Sequence, residues 1–137
     1  MIVSFTLHHD ERGALRSGEG FSDAIAAVKA FPLAGVAANC CSPERISDAM
    51  PLLCGSGLEL VGGYANEFTH VPGEWLLDGA KATDGHLQMC DVLTPGIHAR
   101  FGHAWVEAGA TLIGGCCGTV ARHTDALRAL IDSMDNE

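Results

Sequence analysis

Four short apolar runs, Ile2–Leu7, Leu33–Asn39, Leu58–Tyr64 and Ala110–Gly115, recur along the chain, and each is followed by signals for a helix. Runs of this length suit strands, and their apolar character is continuous rather than alternating. Continuous strands of that kind are buried on both faces, which is the habit of parallel sheets covered by helices. A helix after each strand supplies the crossover that parallel neighbours need. The pattern predicts an α/β fold of parallel βα units.

The helix boundaries are marked by small motifs. A polar loop with Gly13, Gly18 and Gly20 leads into Phe21–Phe31, where Phe21, Ala24, Ile25 and Val28 share one helical face. Ser42-Pro43-Glu44 supplies an N-cap, a first-turn proline and an acidic residue at the positive helix end; this helix is expected to run to Cys54 and stop at Gly55. Thr94-Pro95 repeats that start. Ile97, Phe101, Ala104, Trp105 and Ala108 are the expected inward face of the third helix, and Gly109 ends it. A last helix is expected from Val120 to Met134, with Leu127, Leu130 and Ile131 inward. The polar stretch 65–93 is long for a connection in a compact domain and is expected to be functional or mobile. No GxGxxG follows the first strand, so a dinucleotide fold has no positive support.

Charge narrows the partners. The chain carries a formal charge of -9 with only 8 Lys and Arg, which argues against nucleic acid and anionic membrane surfaces. No stretch approaches the ~20 apolar residues of a membrane helix. Met1–Leu7 is too short an apolar run for a signal peptide and is followed at once by His8-His9-Asp10-Glu11-Arg12, so a cytoplasmic protein is expected. The 137 residues suffice for a single domain, 1–137.

Cysteines stand at 40, 41, 54, 90, 116 and 117. With no export signal, and with two of the pairs adjacent in sequence, a disulfide framework is disfavoured. Cys40 directly follows the second strand, and Cys116-Cys117 directly follow the fourth. In a parallel sheet all strand C-termini lie on one rim, where α/β barrels carry their catalytic residues. Three thiols there match a catalytic zinc site, which uses three protein ligands and keeps a fourth position open. Gly114-Gly115 and Gly118 let the backbone turn sharply around the pair. Zinc with three thiolates has a net formal charge near minus one; it activates water poorly but binds and ionises a fourth thiol well. A lone cysteine is ordinarily a small buried residue, whereas packing has no use for two adjacent thiols within glycines. Metal binding and vicinal-dithiol redox chemistry at Cys116-Cys117 both remain open on the residues alone.

Gly114-Gly115-Cys116-Cys117-Gly118-Thr119, after Trp105-Val106-Glu107-Ala108-Gly109-Ala110, resembles a signature of the homocysteine S-methyltransferase family. Gly35-Val36-Ala37-Ala38-Asn39-Cys40 with Ser42-Pro43-Glu44 matches in the same way, as do Val3-Ser4-Phe5-Thr6, Ser17-Gly18-Glu19 and Gly63-Tyr64-Ala65-Asn66. The resemblance implies half of a (β/α)8 barrel, its strands five to eight, with zinc on Cys40, Cys116 and Cys117. It further implies methyl transfer to the thiol of homocysteine to give methionine, with Asn39 and Tyr64 lining the substrate pocket. Donors used across the family include S-methylmethionine, S-adenosylmethionine, betaine and methylated cobalamin or folate partners. The family's N-terminal glycine-rich motif, its acidic clamp for the amino group and a Glu-Thr segment have no counterpart here, and Ala65 replaces a common proline. Half a barrel leaves two sheet edges unpaired and an apolar inner face exposed, so association is expected, as a homo-oligomer or with a complementary N-terminal half. A non-catalytic zinc-binding half-barrel is the alternative function.

Other polar residues are read as background. His8-His9-Asp10 is expected to be a solvated loop. Cys41 offers a second sulfur, but the Asn-Cys order favours Cys40, and Cys54 and Cys90 are taken as structural. His98, His103 and His123 are expected at helix surfaces, and Glu67, His70 and Trp75 in a mobile polar loop.

Overall fold

The computed structural model describes residues 1–75 and 87–134. Strands and helices alternate as β1 (Ile2–Thr6), α1 (Phe21–Val28), β2 (Gly35–Asn39), α2 (Pro43–Cys54), β3 (Leu60–Ala65), α3 (Pro95–Glu107), β4 (Leu112–Gly115) and α4 (Ala121–Met134). The strands form one parallel sheet in the order β1-β2-β3-β4. Each strand lies beside its predecessor, so the sheet winds in one direction without the reversal of doubly wound folds. It is the expected half of a (β/α)8 arrangement: four strands, with β1 and β4 each paired on one side only among the described residues.

The caps act as the motifs predict. The Ser42 hydroxyl accepts from the Arg45 N–H at 3.4 Å and Thr94 from the Ile97 N–H at 3.4 Å, each with a proline opening the helix. The first helix stops at Val28, short of the expected Phe31, which lies exposed.

Register sorts the strand residues into two faces. Val3, Val36 and Val61 form one row toward the helices, and Phe5, Ala38, Gly63 and Ile113 the next. Val36, Ala38 and Val61 pack with Phe21, Ile25, Ile46, Met50, Leu53 and Trp105 in the core. Trp105 is almost fully buried, and its indole N–H donates to Ser47 Oγ at 2.9 Å. The concave face carries the rows Ile2–Gly35–Leu60, Ser4–Ala37–Gly62–Leu112 and Thr6–Asn39–Tyr64–Gly114. The concave face is therefore apolar only in its lower rows and turns polar toward the rim, and it is less exposed than expected, with Gly35, Ala37 and Gly62 buried. The sheet curls tightly toward this side. A Cβ at Gly35 would stand 2.1 Å from the Leu60 carbonyl oxygen, and one at Gly62 would stand 1.7 Å from that of Leu112.

Two expectations need correction. The buried stripe of α3 is His98, Ala99, Gly102 and Trp105, while Ile97 and Ala104 are exposed. Helix α3 must meet both the sheet and α4, and Gly102 permits that approach: a Cβ there would lie 2.4 Å from Leu127 Cδ2. The base of the 65–93 stretch is also not a mobile polar loop. Ala65, Asn66, Glu67, Val71 and Leu93 are buried, and Thr69 N–H bonds the Gln88 carbonyl at 2.9 Å. Positions 76–86 of that stretch lie outside the described residues.

Candidate metal centre

Strand β2 ends at Asn39, and Cys40 then adopts φ 55°, the one positive value at a non-glycine among the described residues. The left-handed conformation costs a side chain of this kind roughly 1–2 kcal/mol. It reverses the alternation at the strand end, so that Cys40 faces the rim while Cys41 is driven fully into the core. Strand β4 ends at Gly115. Cys116 N–H then bonds the Ala65 carbonyl at 2.8 Å, and Thr119 closes the turn by bonding the Cys116 carbonyl through its N–H at 3.2 Å and its hydroxyl at 2.6 Å.

These two strand ends bring the three predicted thiols together. Cys40 Sγ lies 3.8 Å from Cys117 Sγ, and Cys116 Sγ lies 3.8 Å from Cys117 Sγ. All three sulfurs fall within 4.8 Å of one another. A tetrahedral ion with metal–sulfur bonds of ~2.3 Å has sulfur–sulfur edges of about 3.8 Å, so the spacing fits zinc. The donor set fits as well: three soft sulfurs, all free, on one rim, with Cys117 exposed.

The electrostatics fit the same purpose. The Cys40 thiol is held down to about 5, chiefly because it accepts a hydrogen bond from Cys116, with Cys117 and the nearby Arg16 guanidinium adding to this against the effect of burial. The anion on Cys40 and burial push Cys116 up, and burial followed by that same anion raises Cys117. Burial pushes Cys41 up to about 12, which removes it as a rival ligand. Metal-free protein should accordingly react with iodoacetamide first at Cys40. Peptide mapping should find that labelling still fast at pH 6, whereas Cys41, Cys116 and Cys117 become reactive only as pH rises. Equal labelling of Cys40 and Cys41 at pH 6 would refute the assignment.

Asn39 and Tyr64 sit side by side in the uppermost row of the concave face, just below the sulfurs. Asn39 Oδ1 accepts from the Thr6 hydroxyl at 2.9 Å. His8, His9 and Asp10 stay apart from the cluster. His8 Nδ1 accepts from the Asp10 and Glu11 N–H groups, and Asp10 pairs with His70 at 2.9 Å. Arg16 went unrecognised in the sequence. Its guanidinium stands 5.7 Å from the Trp75 ring centroid and, with Ser4, Thr6, Ser17 and Glu74, lines a cavity of about 450 Å³. An arginine in a glycine-rich loop carries no local sign of such a place.

His98 and His123 are not surface residues. Both are buried behind the Cys116-Cys117 turn, and His123 Nε2 faces the carboxylate of buried Glu67. A histidine on a helix is ordinarily at the surface; these two are buried because their partners come from other elements.

Known proteins share this fold. The family model for homocysteine S-methyltransferase matches residues 1–131. The chain is similar to the homocysteine methyltransferase MmuM of Escherichia coli in its metallated form, at 24% identity and a TM-score of 0.60, over 92% of this chain and 34% of that one. For the apo form of the same protein the values are 23% identity and 0.62, over 93% of this chain and 39% of that one. For the oxidized form they are 25% and 0.57, over 88% and 33%. The chain thus spans between a third and two fifths of the length of these structures, and at such identity the likeness is one of fold. No curated protein matches it. No described helix is long and apolar enough to cross a membrane. On the match that runs through all four βα units and both cysteine motifs, the chain belongs to the homocysteine S-methyltransferase family.

Proposed function

We propose that residues 1–137 are one partial domain that holds zinc on Cys40, Cys116 and Cys117 and presents it to the thiol of homocysteine, which receives a methyl group to give methionine. The observation that carries this reading is the tetrahedral spacing of three thiols on one rim. Cys40, Cys116 and Cys117 would hold the zinc, which would supply the acidity needed for a fourth, substrate thiol to be nucleophilic at neutral pH. The chain's own residues do the rest. Tyr64 and Asn39 form the floor beneath the sulfurs and contact the substrate, with the Thr6 hydroxyl holding the Asn39 carbonyl oxygen in place. Arg16 offsets the negative charge of three thiolates around a divalent ion.

The open edges of β1 and β4 set a condition on turnover. In this reading they close against a complementary N-terminal half or a second copy, which supplies the amino-acid clamp and the donor site. A second reading is a half-barrel that binds zinc without catalysis. One experiment separates the two. Cobalt-loaded protein should change its visible spectrum when homocysteine is added, with the chain alone. Methionine should form from a labelled methyl donor only when a chain with the four missing βα units is also present. A spectrum indifferent to homocysteine refutes the proposal. A responsive spectrum without methionine under any complementation leaves the non-catalytic reading standing.

A further inference from the structure

We infer that Glu67, His123 and His98 are positioning residues that set the Cys116-Cys117 turn from behind, acting through its peptide groups. The inference rests on the reading that the three sulfurs hold a divalent ion. Glu67 follows β3, His98 lies in α3 and His123 in α4, yet all three converge on the segment from Gly114 to Val120. The Glu67 N–H donates to the Cys117 carbonyl at 3.0 Å. His98 Nε2 lies 3.2 Å from the Gly114 carbonyl. A carbonyl only accepts, so this nitrogen carries the proton. His123 Nδ1 accepts from the Val120 N–H at 3.1 Å, which puts its own proton on Nε2, facing the Glu67 carboxylate. The two imidazoles stack edge to face, with centroids 5.7 Å apart. Gly118, at φ 85°, lies close against Glu67; a Cβ there would stand 3.0 Å from Glu67 Cβ.

Burying a carboxylate and an imidazole at 7% and 3% side-chain exposure is costly, and a hydrophobic pair would fill the space at less expense. The arrangement makes physical sense as a grip. A Gly-Gly-Cys-Cys-Gly turn is intrinsically loose, and a metal site loses affinity when its ligands must be ordered on binding. Metal-bound histidines are usually oriented through their second ring nitrogen. Thiolates have no such handle, so here the backbone is held instead: His98 grips the Gly114 carbonyl before the sulfurs, and the Glu67 N–H together with His123, braced by the Glu67 carboxylate, grips the Cys117 carbonyl and the Val120 N–H after them.

The test is cobalt binding by the full chain, read as affinity and as the intensity of sulfur-to-cobalt charge transfer. Removing an outer partner of a metal site typically costs about 10- to 100-fold in affinity. Glu67→Ala should fall in that range with weakened charge transfer. Glu67→Gln, which keeps an acceptor for His123, should recover most of both. Leu53→Ala, a core change remote from the turn, should destabilise the fold yet leave affinity and spectrum unchanged, separating positioning from general loosening. If Glu67→Ala does not fold, His98→Phe carries the test, since it deletes only the bond to Gly114; about a 10-fold loss is expected. Wild-type affinity and spectrum in whichever of these variants folds would overturn the inference. Absence of cobalt binding by the unaltered chain would instead overturn the metal reading beneath it.

Discussion

Cys40→Ser protein should lose its zinc. Metal analysis after dialysis is expected to find about one ion per unaltered chain and almost none in the variant. Zinc in sites of this kind binds with roughly 10–16 kcal/mol, so deleting one ligand of three removes roughly 3–5 kcal/mol, about a thousandfold. A serine hydroxyl does not compensate, because it is a harder donor and far less acidic than a thiol that already ionises near 5. The remaining pair, Cys116 and Cys117, are sequence neighbours on one turn and cannot surround an ion by themselves. Cys117→Ser should behave alike. Cys54→Ser, a half-buried cysteine outside the cluster, is the control and should keep its zinc. Full zinc occupancy in Cys40→Ser would end the three-sulfur assignment, whereas no zinc in either protein, with redox behaviour unchanged in the variant, would put vicinal-dithiol chemistry at Cys116-Cys117 in first place.

The second large effect concerns the curl of the sheet. Gly62→Ala puts a methyl group 1.7 Å from the Leu112 carbonyl oxygen and 2.7 Å from its carbon. Both are backbone atoms, so no side chain can swing aside. The strands must separate, and β4 reaches the sheet only through β3. Overpacking of a well-filled site costs about 1–3 kcal/mol, and a clash with backbone belongs at or above the top of that range. Urea unfolding should show the loss, and zinc affinity should fall with it because Cys116 and Cys117 ride on β4. Gly114→Ala gives the contrast. It lies on the same concave face one row nearer the rim, and its Cβ would meet only Tyr64 Cβ, at an ordinary 3.6 Å. The expected change there is below about 1 kcal/mol. Equal midpoints for unaltered and Gly62→Ala protein would contradict the curvature described above.

What the sequence disclosed and what it hid divide along a physical line. Local chemistry was legible. Ser42-Pro43 and Thr94-Pro95 mark helix starts through groups within four residues of each other, and the structure uses them as caps. The thiols were legible because parallel strands oblige their C-terminal ends to share a rim, whatever lies between them in the chain. The Glu67–His123 pair was not legible, since its two members belong to different elements and neither has a neighbour in sequence that betrays it. The face of α3 was misjudged for a related reason. Ile97 and Phe101 outrank His98 and Gly102 in hydrophobicity, but close approach to α4 requires the glycine, and the Gly114 carbonyl requires the imidazole. Arg16 escaped notice because its significance lies in what its loop folds back upon.

One consequence follows from where the cysteines sit. β2 and β4 are not neighbours; β3 runs between them. An ion shared by Cys40 and Cys116-Cys117 is therefore a clasp fastened across an intervening stave, and it tethers distant stretches of chain into a closed ring. Chelation would do more than empty a pocket: it would undo the link between the second and fourth staves, and the seam along the fourth would be freer to shift.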